Sequence, residues 1–137
     1  MADFKIALKP TLHNEGGYVK DPNDSGGETY RGISRHNFPH WSGWSMVDAA
    51  KPLHTGQLIS NTQLDELIAE FYQLSFWNPI RGNEIINQDV ANDLFDKSVN
   101  MGYHQAVVLS QRSLGIAESG KMDDVTLSTL NQMNPYA

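Results

Sequence analysis

The chain has 137 residues, 39% of them hydrophobic and 19% charged, with a formal net charge of −6 and no cysteine. That size and balance describe a folded domain able to bury a core unaided, and the absent cysteines exclude disulfides, thiolate metal sites and thiol nucleophiles. The acidic excess argues against nucleic acid as a partner, and no apolar run reaches the length of a membrane span.

The N-terminus, Met1-Ala2-Asp3-Phe4-Lys5, carries an early acid and no apolar core, so it does not read as a secretory signal peptide. The expectation is synthesis in the cytoplasm and, for any target outside it, delivery by another route. Phe4, Ala7, Leu8 and Leu12 recur at helical spacing and predict a helix over about residues 3–15. Pro10 is expected to kink that helix or shift its start. Glu15 falls on the apolar face, three residues after Leu12, which points its carboxylate toward the protein body or a cleft. The Gly16-Gly17 pair that follows predicts a helix stop with left-handed backbone.

Residues 16–33 hold five glycines and a few β-formers, Val19, Thr29, Tyr30 and Ile33, and read as a loop with short antiparallel strands. Residues 34–44 are aromatic-rich and weakly periodic. Ser45 followed by Asp48 predicts a capped short helix through about Lys51. Asn61 or Thr62 caps a helix carrying Leu64, Leu67, Ile68, Phe71 and Leu74, which ends before Pro79. Val90, Ala91, Leu94, Phe95 and Val99 mark the next, stopped by Gly102. Ala106, Val107, Ser110 and Leu114 mark another, stopped by Gly115. Asp123 or Asp124 caps the last, with Leu127, Leu130 and Met133. The pattern predicts a mainly α (α+β) fold, a single domain over residues 1–137 with a small β-hairpin lobe near the N-terminus.

The chemistry concentrates in residues 14–33. Cleaving a glycosidic bond needs a carboxylic acid still protonated near neutral pH, which partial burial provides, and a second carboxylate to activate water or stabilise positive charge on the sugar. Glu15 suits the first role. Asp24, nine residues on across a glycine-rich loop, suits the second, and Thr29 is placed to hold the water by a hydrogen bond. Glu28, beside Thr29, is an alternative to Asp24. A purely structural turn cluster is the competing reading of the same loop. Calcium is disfavoured: Asp21, Asn23, Ser25 and Gly26 fit the first half of a calcium loop, but Gly32 stands where the closing bidentate glutamate belongs. A phosphate cradle is also disfavoured, because no Gly-Lys-Ser/Thr follows. His36 and His40 flank Pro39 and lack a zinc-protease pattern, so no metal is expected. Trp77, at the end of an amphipathic helix, reads as core. For Trp41 and Trp44, packing and stacking on a sugar are equally open.

The segment Glu15-Gly16-Gly17-Tyr18, then Asp21-Pro22-Asn23-Asp24, then Gly26-Gly27-Glu28-Thr29-Tyr30-Arg31-Gly32-Ile33 resembles the N-terminal signature of glycoside hydrolase family 108. That family comprises lysozyme-like N-acetylmuramidases of phage endolysins and bacterial secretion-associated proteins. Phe76-Trp77, the run from Asn87 to Gly102, and Gln111-Arg112-Ser113-Leu114-Gly115 resemble its helical body. Eight residues separate Glu15 from Asp24, as in the phage-type lysozyme triad of Glu, Asp and Thr, whereas four rather than the usual five separate Asp24 from Thr29. Residues 103–137 resemble a degenerate peptidoglycan-binding segment: Ser119 to Thr126 keeps Gly120 and Thr126 but lacks the leading Asp and second Gly, and the chain ends at Ala137 where the family usually adds a helical segment.

The resemblance implies a lysozyme-like fold and a peptidoglycan hydrolase (endolysin-like, bacteriolytic) that cleaves the β-1,4 bond between N-acetylmuramic acid and N-acetylglucosamine. Glu15 would be the acid, with Asp24 and Thr29 serving water and no cofactor required. Candidate substrate contacts are Tyr18, Glu28, Tyr30, Trp41 and Trp44. The implied partners are peptidoglycan glycan strands, at the cell wall or in the periplasm, with a holin or secretion machinery for delivery. A lytic transglycosylase, using one glutamate and no base, and a non-catalytic peptidoglycan-binding module are the alternatives.

Overall fold

The Asp3 carboxylate opens helix α1 (Phe4–Glu15) by accepting the Lys5 N–H at 2.9 Å, which satisfies one of the donors that every helix start leaves unpaired. The computed structural model describes residues 1–20, 22 and 27–133, and Asp24 lies outside them. Pro10 sits inside α1 without shifting its start, although it removes the helix bond to the Ile6 carbonyl. Gly16, at φ 74°, ends the helix in the left-handed region, which glycine adopts without steric cost.

Three short strands follow, β1 (Tyr18–Lys20), β2 (Glu28–Tyr30) and β3 (Ile33–Ser34), antiparallel in the order β1-β2-β3. Tyr18 faces Tyr30 and Val19 faces Thr29 across the first pair, and Tyr30 faces Ile33 across the second. Helix α2 (Trp44–Ala49) comes next, then α3 (Thr62–Tyr72), a π-helical turn (Gln73–Trp77), a 3-10 turn (Gly82–Glu84), α4 (Gln88–Met101), α5 (Tyr103–Leu114) and α6 (Asp124–Gln132). The fold is therefore mainly α with one small sheet near the N-terminus. No helix among the described residues is long and apolar enough to cross a membrane.

The chain groups into two compact units, one of Pro10–Glu70 and one of Met1–Lys9 with the chain from Phe71 onward. In the second, Phe4, Trp77 and Phe95 form an aromatic cluster with ring centroids 5.5–5.8 Å apart. Trp77 is fully buried, and its indole N–H donates to Asn83 Oδ1 at 2.9 Å. Buried Gln111 organises the approach to α6: its amide donates to Thr126 Oγ1 at 2.9 Å and the Lys121 carbonyl at 3.1 Å, and its Oε1 accepts the Gly120 N–H at 3.0 Å. Asp123 caps α6 through the Thr126 N–H at 2.8 Å.

Two local expectations need correction. Ser45 does not cap α2, which starts one residue earlier from Gly43 with no side-chain cap, and Asp48 is committed to ion pairs. Leu74, expected on the apolar face, is 59% exposed. It falls in the π-helical turn, where the wider winding rotates residues out of the register set by α3.

The other unit is organised by Gly17. Its neighbour Tyr18 exchanges two backbone bonds with a returning loop: the Tyr18 N–H donates to the Gln57 carbonyl at 3.0 Å, and the Gly56 N–H donates to the Tyr18 carbonyl at 2.7 Å. A Cβ on Gly17 would stand 2.5 Å from the Gln57 carbonyl oxygen and 2.7 Å from that of Gly56. These are backbone atoms, which cannot swing aside. The two consecutive glycines thus serve different ends, conformation at Gly16 and close approach at Gly17. Gly17→Ala is expected to cost about 1–3 kcal/mol, the range for overpacking, readable as a lower midpoint in urea unfolding. Unchanged stability would mean that the returning loop is not held against β1.

Candidate active site

Glu15 is the last residue of α1 and is half-buried. The end of the helix around it is tightly determined. The Gly16 N–H donates to the Leu12 carbonyl at 3.1 Å, and the Arg31 guanidinium donates to the Leu12 carbonyl at 3.3 Å and to the Gly16 carbonyl at 3.2 Å. A cation on the final carbonyls complements the negative end of the helix dipole. Arg31 reaches them from the two-residue turn between β2 and β3. Arg31 has φ 51° and Gly32 φ 82°, the pair of positive values that a type I′ hairpin turn demands.

A hollow of about 270 Å³ lined by Leu12, Arg31, Asp65 and Ile68 opens in this region, one helical turn back from Glu15. Asp65 lies in the first turn of α3. No motif singled it out, because its relation to Leu12 and Arg31 arises only when α3 folds back. A second hollow, about 230 Å³, is lined by Lys20, Gly27, Glu28, Arg35 and His36.

Thr29 is the middle residue of β2 and half-buried. Strand alternation puts it on the face opposite Glu28 and Tyr30, alongside Val19. Of the sequence-predicted substrate contacts, four lie inside the protein. Tyr30 is 1% exposed, and its hydroxyl accepts the Ile59 N–H at 2.9 Å. Trp44 is 3% exposed, and its indole N–H donates to the Phe38 carbonyl at 2.9 Å. Tyr18 is buried and donates its hydroxyl proton to Glu28 at 2.5 Å. Glu28 is buried as well. Burial corrects the expectation of substrate contact for Tyr18, Tyr30 and Trp44, since a side chain enclosed by its own fold offers no face to a polymer, whereas Glu28 still borders the hollow beside Lys20 and His36. Trp41 differs: it is half-buried and stands edge-on to Trp44, with ring centroids 5.3 Å apart.

Glu28 anchors a network that sequence reasoning missed. Arg35 Nη1 pairs with one of its oxygens at 2.5 Å and Lys51 Nζ with the other at 2.9 Å. Arg35 also grips Asp48 with both guanidinium nitrogens, at 2.8 and 3.0 Å, and Lys51 meets Asp48 at 2.9 Å. Arg35 further lies over the Trp44 ring, 5.1 Å from its centroid. Burial alone pushes the Glu28 carboxyl up, but hydrogen bonds from Tyr18, Lys51 and Arg35 outweigh it and hold the carboxyl below its ordinary value. Arg35 and then Lys51 hold Asp48 well below the usual carboxylate range. Burial first, and then the Glu28 carboxylate, raise the Tyr18 hydroxyl. Glu28 is thus an ionised structural anchor, with both oxygens committed to Tyr18, Arg35 and Lys51.

This network makes stability depend on pH with a definite sign. A carboxyl whose folded value lies below its unfolded value contributes fully above the unfolded value and loses that contribution as pH falls through the folded one. Glu28 and Asp48 both meet that condition. The melting temperature is therefore expected to hold near neutrality and to fall progressively below about pH 4.5, the ordinary glutamate value. Glu28→Gln is expected to show a shallower acid decline than wild type. Parallel declines for the two proteins would mean that other groups carry the acid sensitivity.

A half-buried glutamate thus closes a helix beside a small sheet in a mainly α chain. A solved structure of Brucella abortus SagA shares this fold with a TM-score of 0.64, at 24% identity over 96% of this chain and 70% of that one. No match was found among curated proteins. The chain matches the family described as Glycosyl hydrolase 108 over residues 8–102, and it belongs to that family. The matched residues run from Leu8 in α1 through Gly102, and residues 103–137 lie beyond them.

Proposed function

We propose that this glycoside hydrolase is an N-acetylmuramidase that cleaves the β-1,4 bond between N-acetylmuramic acid and N-acetylglucosamine in peptidoglycan. The observation that carries the reading is Glu15, held half-buried at a helix end fixed from both sides by backbone and by Arg31, within a family of glycosyl hydrolases. Glu15 serves as the general acid that gives its proton to the leaving oxygen. Asp24, with Thr29, positions or activates the attacking water, and direct attack inverts the anomeric centre. Trp41 keeps enough open surface to stack on a sugar ring. No cofactor takes part.

The protein acts on the wall or in the periplasm, delivered by a holin or secretion machinery, and residues 103–137 add a degenerate wall-binding segment. The test is mass spectrometry of muropeptides released from purified walls. Hydrolysis at muramic acid yields reducing N-acetylmuramic acid ends carrying one added water. Anhydro-muramyl ends would instead identify a lytic transglycosylase, and binding to walls without clearing them would identify a non-catalytic module.

A further inference from the structure

We propose that Arg31 is a positioning residue for Glu15, a role that rests on the reading of Glu15 as the acid. The carbonyls that Arg31 holds belong to Leu12, three residues before Glu15, and Gly16, the residue after it. The Arg31 backbone N–H also donates to the Gly17 carbonyl, at 3.3 Å. One residue therefore straddles the acid with its side chain and ties the next residue with its main chain. Helix ends fray because their last carbonyls lack partners. A frayed last turn would swing Glu15 through several ångströms, whereas proton delivery tolerates far less.

A second, independent observation is the backbone of Arg31 itself. The first central position of a type I′ turn favours asparagine, aspartate or glycine, and an ordinary side chain at φ 51° is strained. The fold thus keeps arginine where the local turn rule disfavours it. The guanidinium bond to the end of α1 accounts for its presence.

Arg31→Asn is the decisive variant, since asparagine suits the left-handed turn position and lacks the guanidinium. Measured on purified walls beside Glu15→Gln, it is expected to keep or raise the melting temperature and to lower kcat about ten-fold or more. KM should stay within about two-fold. Arg31→Lys keeps the charge but not the planar fork, and it is expected to recover part of kcat. Wild-type kcat in Arg31→Asn, beside an inactive Glu15→Gln, overturns the positioning role and leaves the acid standing. An active Glu15→Gln overturns the acid and the positioning role together. If Arg31→Asn fails to fold, Arg31→Lys decides: a reduced kcat at wild-type melting temperature supports the proposal, and wild-type kcat overturns it.

Discussion

Glu15→Gln is expected to abolish wall clearance, lowering the rate by about 10²–10⁴-fold, the usual contribution of a positioned general acid. Glutamine keeps the shape of the side chain and removes only the transferable proton. The variant should therefore fold with an unchanged circular dichroism spectrum and still sediment with purified walls. Glu15→Asp tests geometry rather than chemistry. It keeps the carboxyl but withdraws it by one methylene, and it is expected to retain a small residual rate, because misplacement of about 1 Å costs up to 10²-fold. Turbidity loss in Glu15→Gln equal to wild type would remove the foundation of the proposed mechanism.

Loss of the Glu28 carboxylate is expected to have the largest effect on stability, about 2–4 kcal/mol for Glu28→Ala. Removing one partner of a buried ion pair costs about 3–5 kcal/mol, because the other charge is left uncompensated. Here the cost is lower, since Arg35 and Lys51 are each 35% exposed and both keep Asp48. Tyr18 adds to the penalty by losing its hydrogen-bond acceptor. Urea unfolding of Glu28→Ala and Asp48→Ala separates the two carboxylates. Asp48 is 43% exposed and its loss is expected to cost about 1 kcal/mol or less. Equal losses for the two variants would mean that burial of Glu28 does not govern the network. Glu28→Ala should also slow wall clearance modestly through the sheet, which carries Thr29 between Glu28 and Tyr30.

Helix ends were legible because their signals are local. Gly102 and Gly115 stop α4 and α5 at φ 85° and 72°, and Asp123 caps α6. Each is decided by one residue's backbone freedom or by a carboxylate reaching its neighbours. Trp77 as core was legible for the same reason, since an apolar face repeats every turn. Ser45 misled because a capping pattern needs a free carboxylate, and Asp48 had a stronger claim on it in Arg35 and Lys51. Trp44 and Tyr30 were read toward the substrate because an aromatic in an irregular segment looks the same in sequence whether it packs or stacks. Trp44 is enclosed by the fold, with its N–H satisfied at Phe38.

The sequence by itself determined the helical body, the glycine-bounded loop with its short strands, the family and the candidate acid at Glu15. These follow from periodicity, from turn chemistry, and from fixed residues close together in the chain. Only the tertiary structure decided which residues of that loop are anchors. Glu28 draws partners from 7 to 23 residues away, and Arg31 reaches 19 residues back to the end of α1. Long side chains carry no sequence mark of where they will end, so the setting of Glu15 became visible only when the hairpin turn folded against its helix.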